Sequence, residues 1–248
     1  MGRGQGLPEK THRTPESLVL PRGTRLFRVH RRTYSPAQFN PTLCDPHFGG
    51  SRFDGTENDP YGYLYAAPRV ETALAETILR DLPFDDEGNP RVLPYRALVG
   101  RCVTELELRT EVRLVSLMDE PARVAVRQDA WLVHAEAPEY PFTRRWGHWI
   151  RSQATWAQGL AWPSKRDGPY PAIVLFADRL GQPGPARTPC GADGEAPPER
   201  LPQRAEVLRR LPKPSIDLDD EAGVHWLEQT LYRYDVHVGA PPGVLGGP

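Results

Sequence analysis

Five polar residues carry the chemistry this sequence can offer: Arg28, Arg52, Tyr65, Glu76 and Ser164. An arginine presents a flat fork of permanently charged donors that meets a phosphate at two points, and there are two of them. A tyrosine ring gives a flat face for a heterocycle, and its hydroxyl needs a polar partner. A carboxylate held beside a sugar carbon stabilises the positive charge that develops when a glycosidic bond breaks. A serine hydroxyl can bond a ribose hydroxyl or a phosphate. Singly, each has a plainer explanation. Glu76 is spaced i,i+4 from Arg80, a helix-face ion pair worth about 0.3–0.5 kcal/mol. Arg28 suits a strand's surface, Arg52 a loop salt bridge with Asp54, Tyr65 an apolar core, and Ser164, after Pro163, a turn.

The elements that must position these residues follow from patterning. Thr24–Arg31 alternates, with Arg25, Phe27 and Val29 on one face and Leu26, Arg28 and His30 on the other, which predicts a strand. A long irregular loop with Pro36, Pro41, Pro46, Gly49 and Gly50 leads to Arg52. Gly62–Ala67 reads as a short buried strand carrying Tyr65. Pro68 suits a helix's first position, and Val70, Ala73, Leu74, Thr77 and Ile78 share a face of a helix running to about Arg80 that carries Glu76. Strands are expected at Ala97–Leu106, Arg113–Leu117 and Ala172–Ala177, and an aromatic-faced helix at Thr143–Gln158. Trp146, Trp149 and Trp156 in that helix fit a packed face better than a base-stacking platform.

The rest of the chain narrows the class. Its 31 basic and 32 acidic residues leave a net charge of −1, so there is no cationic field to attract nucleic acid or an anionic membrane. No apolar run nears the roughly 20 residues that span a bilayer. The polar N-terminus lacks a secretory apolar stretch, and Cys44, Cys102 and Cys190 are scattered; a reducing cytoplasm is expected. No HExxH and no CxxC occurs, so no metal is expected. GxGxxG and GxxxxGK[ST] are also absent. The expected organisation is a disordered or extended N-terminal arm over residues 1–22, a core domain over 23–181 and a Pro/Gly-rich linker or loop over 182–214. An accessory helix over 215–238 and a disordered tail over 239–248 follow.

Five short motifs occur in a set order. They are Leu26-Phe27-Arg28, Gly49-Gly50-Ser51-Arg52-Phe53, Tyr63-Leu64-Tyr65-Ala66-Ala67, Ala73-Leu74-Ala75-Glu76 and Gly159-Leu160-Ala161-Trp162-Pro163-Ser164. In this order they resemble the RES domain, over roughly Arg25–Asp178. Ser51 interrupts the family's Gly-Gly-Arg, Val29 stands where some relatives have an aromatic, and the stretch from Val112 to Tyr140 is longer than in compact members.

The resemblance implies an α+β fold: a compact mixed α/β domain with a split sheet like that of ADP-ribosyltransferase toxins, plus the C-terminal helix. It implies cleavage of the nicotinamide–ribose bond of NAD, by phosphorolysis or hydrolysis. By motif position Glu76, Arg52 and Ser164 are the catalytic candidates, and Arg28, Arg52, Tyr65 and Ser164 the NAD-binding ones. Phosphate or water would be the acceptor, and a helix-turn-helix antitoxin the partner of a toxin. Transfer of ADP-ribose to a protein is one alternative, and a non-catalytic interaction module with a degenerate cleft is another.

Overall fold

A computed structural model describes residues 6–181 and 207–241. Most of the expected 182–214 linker, including Cys190, and most of the 239–248 tail lie outside the described residues. In chain order the elements are β1 (Ser17–Leu20), β2 (Arg25–Arg31), β3 (Tyr63–Ala66), α1 (Val70–Thr77), β4 (Arg91–Leu93), β5 (Arg101–Leu108) and β6 (Val112–Ser116). Helices α2 (Glu120–Ala125), α3 (Trp131–His134) and α4 (Tyr140–Gln153) follow, then β7 (Gly159–Pro163) and β8 (Pro171–Phe176). The last are β9 (Leu208–Arg210), β10 (Ile216–Asp217), α5 (Glu221–Leu231) and β11 (Val236–Val238).

The strands form a split arrangement. A five-stranded sheet runs β1-β6-β7-β8-β3, and a second joins β10, β5 and β2, with β9 also on β5. Pairing is antiparallel except for the β6–β7 step and the separate β4–β11 pair. The two sheets meet where Phe27 and Ala67 exchange both backbone hydrogen bonds, at 2.7 and 3.0 Å, and diverge beyond that bridge. The wedge between β2 and β3 is therefore a built-in cleft.

Three apolar clusters hold this frame. Inward residues of β7 and β8 pack with Trp146, Trp149 and Ile150 of α4 on one face of the large sheet, while Leu64, Ala161 and Ile173 face a second cluster with Leu26 and Leu106. The third joins Leu74 and Leu79 of the α1 segment to Val103 of β5 and to Leu227 and Leu231 of α5. Asp220 caps α5 by accepting from Gly223 N at 2.6 Å. The C-terminal helix thus helps seat α1, the helix that presents Glu76.

Ser17–Leu20, within the stretch taken as an arm, is a strand paired with β6. Val112–Ser116, close to the strand expected at Arg113–Leu117, opens the long 112–140 stretch as a sheet strand between β1 and β7.

Burial also sets a pH response. His30 on β2 and His148 on α4 are held below the ordinary imidazole value, in both cases chiefly by desolvation. The unfolded chain binds these protons near pH 6.5 and the folded chain only at lower pH. Stability is therefore complete above that value and falls as pH drops through it. The thermal midpoint should decline from pH 7 to 5, and the decline should shrink in a His30→Gln/His148→Gln variant. A flat profile in the wild type would contradict this.

Candidate active site

The loop before Arg52 is held by a carboxylate and a buried arginine. Asp54 accepts from Ser51 N at 2.7 Å, from the Cys44 thiol at 3.0 Å and from the Tyr65 hydroxyl at 2.8 Å. Burial, with Asp54 alongside, pushes the Cys44 thiol up to about 11 and the Tyr65 phenol well above its ordinary value, so both remain donors. Arg144 of α4, 1% exposed, donates to the carbonyls of Gly49 at 2.7 Å and Asp45 at 2.9 Å. Gly50 has φ 71°, and a Cβ there would lie 2.6 Å from Cys44 Sγ. Ser51, the residue inserted between the glycines and Arg52, is absorbed by its bonds to Asp54 and Arg144. This clamp delivers Arg52 to the cleft.

Arg52 is 5% exposed. Its guanidinium lies over the Tyr140 ring at 5.4 Å and the Trp162 ring at 6.0 Å, and Nη2 donates to Ala135 O at 3.2 Å. Nη1 is 3.8 Å from Glu76 Oε2. Thr143 Oγ1 donates to the Arg52 carbonyl at 2.8 Å, fixing the backbone as well.

Glu76 points from α1 toward the start of the loop after β7. Its Oε1 accepts from Ser164 Oγ at 2.7 Å and from Lys165 N at 3.2 Å. Ser164 Oγ in turn accepts from Asp167 N at 3.1 Å and Arg166 N at 3.3 Å. With both lone pairs taken, the serine's one proton goes to Glu76, and this bond gives the carboxylate its direction. The Glu76 side chain keeps 16% of its surface open, so a ligand can reach it.

The structure therefore brings together Arg52, Tyr65, Glu76 and Ser164. A narrow cleft in the sheet wedge is lined by Phe27, Val29, Tyr65, Ala67, Glu76 and Trp162 among others. Arg28 does not join them. It leaves the other face of β2 and donates to the carbonyls of Pro36 and Gln38, both at 2.6 Å, and burial lowers it to about 10. The plainer explanations of two residues also fail. Arg80 pairs with Asp81 rather than Glu76, and Asp54 is used by the loop rather than by Arg52.

The RES domain family matches residues 25–199. The chain belongs to the RES domain family. Its fold is similar to a chain in the crystal structure of the M. tuberculosis MbcT–MbcA toxin–antitoxin complex, at 12% identity and TM-score 0.47, covering 81% of this chain and 86% of that one. No curated protein matches it. Among the described residues of this RES protein, no helix is long and apolar enough to cross a membrane.

Several residues around the candidate site escaped the sequence reading. Trp162 and Tyr140 flank Arg52, yet as aromatics in apolar stretches they read as core. Asp54 and Arg144 act on the loop through hydrogen bonds that reach up to 99 positions along the sequence, and only the Gly-Gly pair hinted that the loop is sharply shaped.

Proposed function

We propose that this RES protein consumes NAD by cleaving its nicotinamide–ribose bond, with phosphate or water as acceptor. The single observation that carries the reading is the Ser164–Glu76–Arg52 constellation at the mouth of the sheet wedge: an oriented carboxylate with a buried guanidinium 3.8 Å away. Arg52 offers a fixed cationic fork for the pyrophosphate. The half-buried Tyr65 ring on the cleft wall offers a flat face for the nicotinamide, backed by the buried Trp162.

In this reading the C1′–N bond breaks and nicotinamide leaves with the bonding electron pair as a neutral molecule. The ribose carbon develops oxocarbenium character, which the Glu76 carboxylate stabilises. A phosphate or water oxygen then bonds to that carbon, and with water the released proton passes to Glu76 or solvent. Ser164 and the Lys165 amide hold the carboxylate in place throughout, so no reorganisation is needed as charge develops. The family's setting belongs to the same proposal: a cytoplasmic toxin restrained by a separate antitoxin chain with a helix-turn-helix domain.

The test is to incubate pure protein with NAD, with and without phosphate, and to follow nicotinamide release together with the fate of labelled ADP-ribose. Nicotinamide release with label in small molecules is expected. Label on a protein band would favour transfer to a protein acceptor. Intact NAD under both conditions, with folded protein, would leave the non-catalytic module.

A further inference from the structure

The turn that carries Ser164 is anchored to α1 and the residues just after it at three places. Ser164 Oγ reaches Glu76. The Arg166 guanidinium donates to Arg80 O at 3.1 and 3.3 Å. Thr72 Oγ1, one helical turn before Glu76, donates to Asp167 Oδ2 at 2.5 Å. Asp167 is the hub, since its backbone N–H also supports the serine hydroxyl. The residue is 8% exposed, so its carboxylate oxygens depend on protein partners. Its second oxygen, Oδ1, accepts from the Tyr234 hydroxyl at 2.5 Å.

Tyr234 comes from elsewhere in the chain. It lies beyond residues 25–199, the span of the RES match, in a 3-10 turn between α5 and β11. Its place is fixed on both sides. Arg91 Nη2 donates to its carbonyl at 2.5 Å. Asp235, with φ 53°, turns the chain so that Val236–Val238 pairs in parallel with β4. Leu227 and Leu231 of α5 are buried with Leu74 and Leu79 on the α1 side. The C-terminal segment therefore grips both halves of the site, α1 by packing and the serine turn by one hydrogen bond.

We propose that Tyr234 is a positioning residue of the active site, holding Asp167 so that the 164–167 turn delivers the Ser164 hydroxyl and the Lys165 amide to Glu76. The proposal rests on the NAD-cleavage reading for its activity readout but not for its structural one. Removing the phenol hydroxyl leaves Asp167 Oδ1 without this donor. The turn loosens, Glu76 loses its fixed direction, and turnover falls while the cleft walls remain.

Tyr234→Phe tests this without removing the ring. Amide hydrogen exchange is expected to speed up over residues 164–168 while the strands β5 and β8 keep their protection. Turnover of NAD should drop about ten- to hundredfold in kcat, with KM within about twofold. In a Ser164→Ala background the same substitution should cost clearly less, because the hydroxyl is gone and only the Lys165 amide is left to be misplaced. Unchanged exchange in the turn, or equal losses in the two backgrounds, overturns the proposal. Should Tyr234→Phe fail to fold, Asp167→Asn is subjected to the same measurements with the same criteria. If the wild type leaves NAD intact, the NAD reading fails and the exchange arm alone decides the positioning role.

Discussion

Glu76→Gln is expected to lower kcat for NAD cleavage by about 10²–10³-fold, the range for removing one transition-state stabilising group. Its thermal midpoint should stay within a few degrees of the wild type. The isosteric amide keeps an oxygen that can accept from Ser164 Oγ and Lys165 N, so the local hydrogen bonds that now reach Oε1 persist. The negative charge is what disappears, and with it the stabilisation of an oxocarbenium-like carbon. The amide's NH₂ also turns toward Arg52 Nη1, now 3.8 Å from Oε2, and offers it no acceptor. Steady-state kinetics with nicotinamide quantified, beside a melting curve, reads both effects. A variant retaining more than a tenth of wild-type kcat would remove Glu76 from the chemistry.

Arg52→Lys should raise KM for NAD and reduce kcat/KM by about 10²-fold or more, as loss of charge-assisted contacts worth about 1.5–3 kcal/mol each implies. Charge is conserved in this substitution, so the loss measures shape. Lysine cannot span Tyr140 and Trp162 with a planar group, nor donate to Ala135 O while facing Glu76. Calorimetric titration with NAD, carried out in the Glu76→Gln background, separates binding from turnover. Equal affinity with and without the Arg52→Lys substitution would show that the fork does not hold the pyrophosphate.

Much of the frame is legible from short-range pattern. The alternation of residues 24–31 corresponds to β2, the apolar 62–67 segment to β3, and the Pro68-led amphipathic segment to α1. Where the pattern is weak, elements escape. β7 is five residues long and buried along most of its length, so it has no alternation and reads as the approach to a turn. β1 has four residues at the edge of its sheet, in a stretch whose composition suggests an arm. The aromatic helix begins at Tyr140, three residues before the expected start, because Pro141 in its first turn supports the entry and Ala154 ends it.

The site divides along the same line. Five short motifs in the order of the RES domain were enough to nominate Arg52, Tyr65, Glu76 and Ser164, and their residue types suit the chemistry that the resemblance implies. The sequence alone also determined that Phe27 and Val29 share one face of β2 and Arg28 the other, since strand periodicity is local. Which face meets the cleft was decided only by tertiary structure: β2 pairs with β5, bridges to β3 at Phe27–Ala67, and so turns Phe27 and Val29 toward Glu76 and Arg28 away. The roles of Asp54, Arg144, Asp167 and Tyr234 belong to the same class. Each acts through one or more hydrogen bonds between segments far apart in sequence, and no periodicity records such a bond.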